Sequence, residues 1–145
     1  MQIAQITAAT AEALAAINAL LPDLSATAQP LTMAQLQTIV DDSNSHLYIM
    51  HESETAVGMF TLCATHHPCG CTVWMEDVVV AAFRQGQGFG RHLVESAIDV
   101  SGRLYPNAQL MLTSRPSRAA ANHIYSQLME RKETNVYYKS KESVK

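Results

Sequence analysis

The segment Trp74–Val80, "WMEDVVV", followed at once by "RQGQGFGRHL", Arg84–Leu93, constrains this chain more than any other stretch. The upstream part of "CTVWMEDVVV" alternates and its end is apolar on both faces, as in a strand passing into the middle of a sheet. The glycines at 86, 88 and 90 then lead into "FGRHLVESAIDVSGRL", where Leu93, Ala97 and Ile98 mark a helical stripe. A loop of small residues between a strand and a helix presents free backbone N–H groups and the positive end of a helix dipole to an anion. Glycine lets a phosphate approach without a Cβ in the way.

Two standard phosphate motifs are excluded. A G-x-G-x-x-G fingerprint starting at Gly86 needs glycine where Arg91 stands, and a P-loop needs G-K-[S/T] where Arg91-His92-Leu93 occur. Arg84 and Arg91 flank the loop, where a guanidinium can meet phosphate oxygens in bidentate fashion.

The remainder alternates helices and strands. "QIAQIT" reads as a first strand, and Thr10 caps a helix with Leu14, Ile17 and Leu21 on one face before Pro22. Thr32 caps a second helix through Met33, Leu36 and Ile39. "HLYIMHE" and "AVGMFTLCAT" form a hairpin, and "HHPCG" turns the chain into the central strand. "AQLMLTS" is a further strand, "SRAAANHIYSQLM" a helix and "TNVYYK" a last strand.

At 145 residues the chain has the length of one domain, expected to span 1–145. Its net charge of -3 gives no argument for nucleic acid or an anionic membrane. No stretch reads as a transmembrane span, and the apolar N-terminus lacks the basic region of a signal peptide. Three cysteines without framework spacing fit a reduced, cytoplasmic setting. His66, His67, Cys69 and Cys71 crowd into "HHPCGC", but their spacing differs from that of zinc sites, whose ligands converge from separated elements. The expectation there is a hairpin turn and no metal.

With these elements in place, "EDVVVAAFRQGQGFGRHL" resembles the acetyl-CoA-binding signature of the Gcn5-related N-acetyltransferase (GNAT) superfamily, [Q/R]-x-x-G-x-[G/A] after the fourth strand. Gln85, Gly88 and Gly90 fill its fixed positions, Gly86 is a further frequent match, and the element order agrees from about residue 2 to residue 139. The string "CG...EDVVV...QGQGFG" is similar to glucosamine-6-phosphate N-acetyltransferases. "TSRPSRAAANHIYSQLMERKETNVYY" is similar to a large group of bacterial acetyltransferases with varied substrates.

The resemblance implies an α/β (α+β) acyl-CoA N-acyltransferase fold, a mixed and mostly antiparallel sheet of six to seven strands flanked by about four helices. It implies acetyl-CoA as cosubstrate, bound by Val78, Val80, Gln85, Gly86, Gln87, Gly88, Phe89, Gly90, Arg91 and Asn122. The fourth and fifth strands of the superfamily splay apart, so that pantetheine binds like an added strand and the Val78 N–H serves the oxyanion. Direct transfer to a primary amine of a small molecule or peptide in a ternary complex is implied, and dimers are common among relatives. A protein-directed acetyltransferase and a non-catalytic acetyl-CoA sensor are the alternatives.

Acetyl transfer from a thioester to an amine needs a neutral amine, a partner for the developing oxyanion and a proton for the thiolate. Tyr125 falls where the superfamily helix often carries a tyrosine, and its phenol stays protonated at neutral pH. It is the candidate acid, with Asn122 three residues earlier on the same helix face. Glu76 is the candidate base and Asp77 the second choice; strand alternation puts them on opposite faces, so at most one is expected in the cleft. Arg115 and Arg118 read as solvated. Met129-Glu130 stands where the superfamily commonly has glycine-phenylalanine, which predicts a different helix end and puts in question an acceptor wall containing Tyr137 and Tyr138.

Overall fold

The computed structural model describes residues 1–141. Its elements are β1 (Gln2–Gln5), α1 (Ala11–Leu24), α2 (Met33–Asp41), β2 (Ser45–Glu52), β3 (Thr55–His67), β4 (Gly70–Val80), a 3-10 turn (Ala82–Arg84), α3 (Phe89–Leu104), β5 (Gln109–Met111) and α4 (Ala119–Leu128). The sheet order is β1-β2-β3-β4-β5. All pairs are antiparallel except β4 with β5, which α3 connects as a parallel crossover.

Local chemistry fixes the helix starts. The Thr10 hydroxyl accepts from the Ala13 N–H, and Thr32 forms a full capping box with Gln35, satisfying donors that a helix N-terminus leaves free. Helix α1 runs through Pro22 to Leu24 instead of stopping before the proline; Pro22 lies in the last turn, where one lost intrahelical donor ends little.

The sheet is covered on both faces. Ala13, Ile17 and Leu20 of α1 and Leu36 of α2 pack with Leu47, Ile49, Met59 and Val79. On the other face Leu93, Val94 and Ala97 of α3 and Tyr125 of α4 pack with Phe60, Leu62, Val73 and Met75. Each fully buried aliphatic side chain contributes about 1.5–3 kcal/mol by leaving water. The result is a three-layer α/β fold with the expected four helices among the described residues.

The expected sheet of six to seven strands has five among the described residues. The missing element is "TNVYYK". Helix α4 ends at Leu128 with Met129 extended instead of in a left-handed cap, and residues 130–141 have no regular structure. Val136, Tyr137 and Tyr138 are 69%, 88% and 86% exposed, so the two tyrosines stand in solvent. Alternating β-formers make a strand only where an edge receives them, and β5 offers three residues.

Candidate active site

Strand β4 carries an extra residue. Met59 pairs with Val79 and Thr61 with Glu76, so one residue of β3 faces two of β4, Asp77 and Val78. Asp77 absorbs the insertion with φ 54°, in the left-handed region. This is a β-bulge, which bends the strand and re-aims its side chains. Its effect on parity is visible in the core: Val73 and Met75 pack toward α3, whereas Val79 packs toward α1.

The bulge overturns the expectation that only one carboxylate faces the cleft. Glu76 and Asp77 both line a cavity of about 210 Å³, together with Leu24, Met75, Val78, Leu112, Thr113, Arg118 and Tyr125. Alternation assigns neighbours to opposite faces only while the strand is regular. Partial burial raises the Glu76 pKa above the ordinary glutamate value, and the charge of Asp77 raises it further. The Thr61 hydroxyl lies 3.4 Å from the Asp77 carboxylate as a weak donor.

The cavity opens where two strands part. β5 pairs with β4 only from Thr72 to Trp74 and ends at Met111, while β4 continues to Val80. The β4 edge from Met75 to Val80 therefore has no strand partner on that side. Two carbonyls of this edge accept from side chains: Val78 from Arg118 Nη2 at 3.1 Å, and Val80 from Gln85 Nε2 at 3.0 Å.

Tyr125 comes from the second half of α4 and is 9% exposed. Burial pushes its phenol pKa upward, and the positive charge of Arg118 partly offsets that. Arg118 precedes the tyrosine by two helical turns and so shares its face. Among the described residues Ser114 Oγ is the one buried side-chain nitrogen or oxygen without a hydrogen-bond partner; Tyr125 itself lines the cavity.

Beyond Val80 the glycine loop rises toward α3. Gly86 and Gly88 have φ of 74° and 86°, conformations that L side chains rarely adopt, and Gly88 is the N-cap of α3. The first bond into the helix runs from the His92 N–H to the Gly88 carbonyl at 3.2 Å. The N–H groups of Phe89, Gly90 and Arg91 are thus left over for an anion. Gly90 serves packing as well, since a Cβ there would lie 3.1 Å from Ile124 Cδ1 on α4.

Several polar residues have other employment. Arg84 pairs with Glu52, its Nε donating at 2.7 Å. Arg91 donates to Glu95 and to Gln127 of α4, each at 2.8 Å. The Gln87 amide donates to the Phe83 carbonyl at 3.2 Å. Asn122 donates to the Arg115 carbonyl at 2.9 Å, bracing the turn into α4. Arg118, read from the sequence as a solvated residue, is exposed and also lines the cleft. Its spacing of seven residues from Tyr125, two helical turns, is the sequence signal that could have found it.

"HHPCGC" forms the β3–β4 turn, with His66 opposite Cys71. Among the described residues no three His, Cys, Asp or Glu side chains converge to hold a metal. A larger hollow of about 510 Å³ lies by this turn, against Tyr105 and Ala108, and brings no carboxylate to its lining.

The family model described as "Acetyltransferase (GNAT) family" matches residues 13–129. Among solved structures, a putative acetyltransferase from Agrobacterium tumefaciens str. C58 is 17% identical, with a TM-score of 0.82 over 97% of this chain and 100% of that one. An aminoglycoside acetyltransferase from an uncultured soil metagenomic sample, solved in complex with trehalose, is 16% identical, with a TM-score of 0.77 over 97% and 96%. The aminoglycoside N-acetyltransferase AAC(6')-Iy in complex with CoA is 14% identical, with a TM-score of 0.80 over 96% and 93%. At these identities the likeness is one of fold. No curated protein matches in sequence.

Proposed function

The chain belongs to the acetyltransferase (GNAT) family, and from that premise we propose that it acetylates a primary amine of a small cationic molecule, taking the acetyl group directly from acetyl-CoA in a ternary complex. The observation that carries this reading is the bulge at Asp77, which gathers two carboxylates, a buried tyrosine and an unpaired strand edge around one cleft. Aminoglycoside acetyltransferases among the structural neighbours agree with a cationic acceptor.

The residues present fit acetyl-CoA. The N–H groups at the start of α3, reached past the left-handed Gly86 and Gly88, suit its pyrophosphate, and the open β4 edge at Val78 and Val80 suits the amides of its pantetheine arm. When bound, acetyl-CoA supplies the acyl group and a thiolate leaving group. Gln85 Nε2 ties the loop to β4 at the Val80 carbonyl, fixing the loop relative to that edge.

Glu76 and Asp77 draw an ammonium into the cleft, and Glu76, its pKa raised by burial, is the base that takes the ammonium proton. The Val78 N–H stabilises negative charge developing on the acyl oxygen. Tyr125, held protonated by burial, delivers its hydroxyl proton to the departing sulfur. Asn122 acts one step removed by fixing the turn that starts α4. None of these steps draws on a metal ion. Its free cysteines fit a reducing cytoplasm.

The test is thiol release from acetyl-CoA against aminoglycosides, polyamines, amino sugars and their phosphates, amino acids and short peptides, in wild type and Tyr125→Phe. Turnover on a small cationic amine, reduced in the variant, is the expected result. Turnover confined to peptides would sink the small-molecule reading, and tight acetyl-CoA binding without thiol release on any amine would instead mark a sensor.

A further inference from the structure

Arg118 stands immediately before α4, exposed at its surface, yet its guanidinium reaches back to β4 and donates to the Val78 carbonyl. Two residues on, the Val80 carbonyl accepts from Gln85. Residues i and i+2 of a strand direct their backbone groups to the same side, so these are successive acceptors of one open edge. A strand edge with unfilled acceptors is a template for any extended amide-bearing chain. In the free protein this template is covered by the chain's own side chains.

The two covers differ in how readily they leave. Gln85 belongs to the turn that forms the glycine loop, so its bond is local to the segment it organises. Arg118 reaches across from another element, and its contact with Val78 is its one side-chain hydrogen bond among the described residues. Glu76 and Asp77 line the same cavity, so a displaced guanidinium has carboxylates within the cleft to meet and its charge is not stranded.

We propose that Arg118 is a displaceable cover of the cofactor lane: its guanidinium holds the Val78 carbonyl in the free protein, and the pantetheine amide of acetyl-CoA takes that carbonyl by displacing it. This rests on acetyl-CoA being the donor bound along β4. Productive binding then begins by breaking a charge-assisted hydrogen bond, which slows association and weakens affinity relative to a chain lacking it. The nucleotide end of the cofactor, lying at the glycine loop, is indifferent to Arg118.

The experiment compares wild type with Arg118→Met, which keeps the stem and loses every donor, and with Arg118→Lys, which keeps the charge on a single donor point. Association kinetics and calorimetric affinity are measured with coenzyme A and with adenosine 3',5'-bisphosphate, which lacks the pantetheine arm. The expected result is a gain of about three- to tenfold in coenzyme A association and affinity for Arg118→Met, the usual range for one hydrogen bond, with an unchanged bisphosphate affinity. Arg118→Lys should show a smaller gain, and it carries the test if the methionine variant does not fold. Weaker coenzyme A binding in the variants, no change, or an equal change for both ligands would overturn the proposal. Wild type failing to bind coenzyme A at all would overturn the acetyl-CoA reading beneath it.

Discussion

Glu76 and Asp77 are neighbours in the chain and line the same cleft, because Asp77 at φ 54° adds one residue to β4 opposite Met59–Thr61. Partial burial raises the Glu76 pKa, and the neighbouring charge of Asp77 raises it further. The bulge thus sets the geometry of the site and places the charge of Asp77 beside Glu76.

The conformation of Asp77 is testable by substitution. Valine, β-branched and poorly tolerated at positive φ, should cost about 1–3 kcal/mol in Asp77→Val. Asp77→Gly should keep Tm near wild type, since glycine enters this region freely. Thermal melts of the two variants decide it; equal loss in both would mean that the carboxylate, not the backbone, holds the bulge.

Glu76 carries a pH signature. With its pKa raised by burial and by Asp77, the acid limb of kcat/KM should lie above the ordinary glutamate range, and Asp77→Asn should move it down. Glu76→Gln should reduce kcat about 10²-fold or more and abolish the limb. The sign for stability is opposite to that of a salt-bridged acid. A folded-state pKa above the unfolded one means that the native state binds the proton more tightly, so stability is lost as pH rises through that window. Glu76→Gln should therefore gain in Tm relative to wild type more at neutral pH than at acid pH.

Tyr125→Phe should lower kcat about 10²-fold or more while leaving coenzyme A affinity within twofold, since the ring packs in the core and the residue lines the cleft. Because the native phenol pKa is raised, the wild-type alkaline limb should lie above the ordinary tyrosine value and vanish in the variant. A large loss of affinity instead would assign the hydroxyl to binding.

Gly88 and Gly90 should separate two roles of the loop. Gly88→Ala puts a side chain at φ 86° with open space around it, so it should strain the turn by about 1 kcal/mol and weaken coenzyme A binding. Gly90→Val should act on packing, forcing α3 from Ile124, with a larger fall in Tm. Calorimetric binding and melting of the pair distinguish them; equal losses in both quantities would refute the division.

Much of this molecule is written locally. The caps at Thr10 and Thr32, the hairpin turns, the run into the central strand and the glycines before α3 depend on side chains within a few residues of one another, so their chemistry was readable in order along the chain. The resemblance carried the family, the loop and Tyr125, and helical spacing put Asn122 on the same face. The expected last strand does not form: "TNVYYK" has strand composition, but composition cannot supply an edge to pair with.

What the tertiary structure alone decided is long-range. The bulge exists only as a mismatch between β3 and β4, so no pattern inside "WMEDVVV" announces that Glu76 and Asp77 share a cleft. Arg118 reaches Val78 across 40 residues, and Arg84 reaches Glu52 across 32. Periodicity reports the face of a residue relative to its own element; which group stands opposite is set by how elements meet.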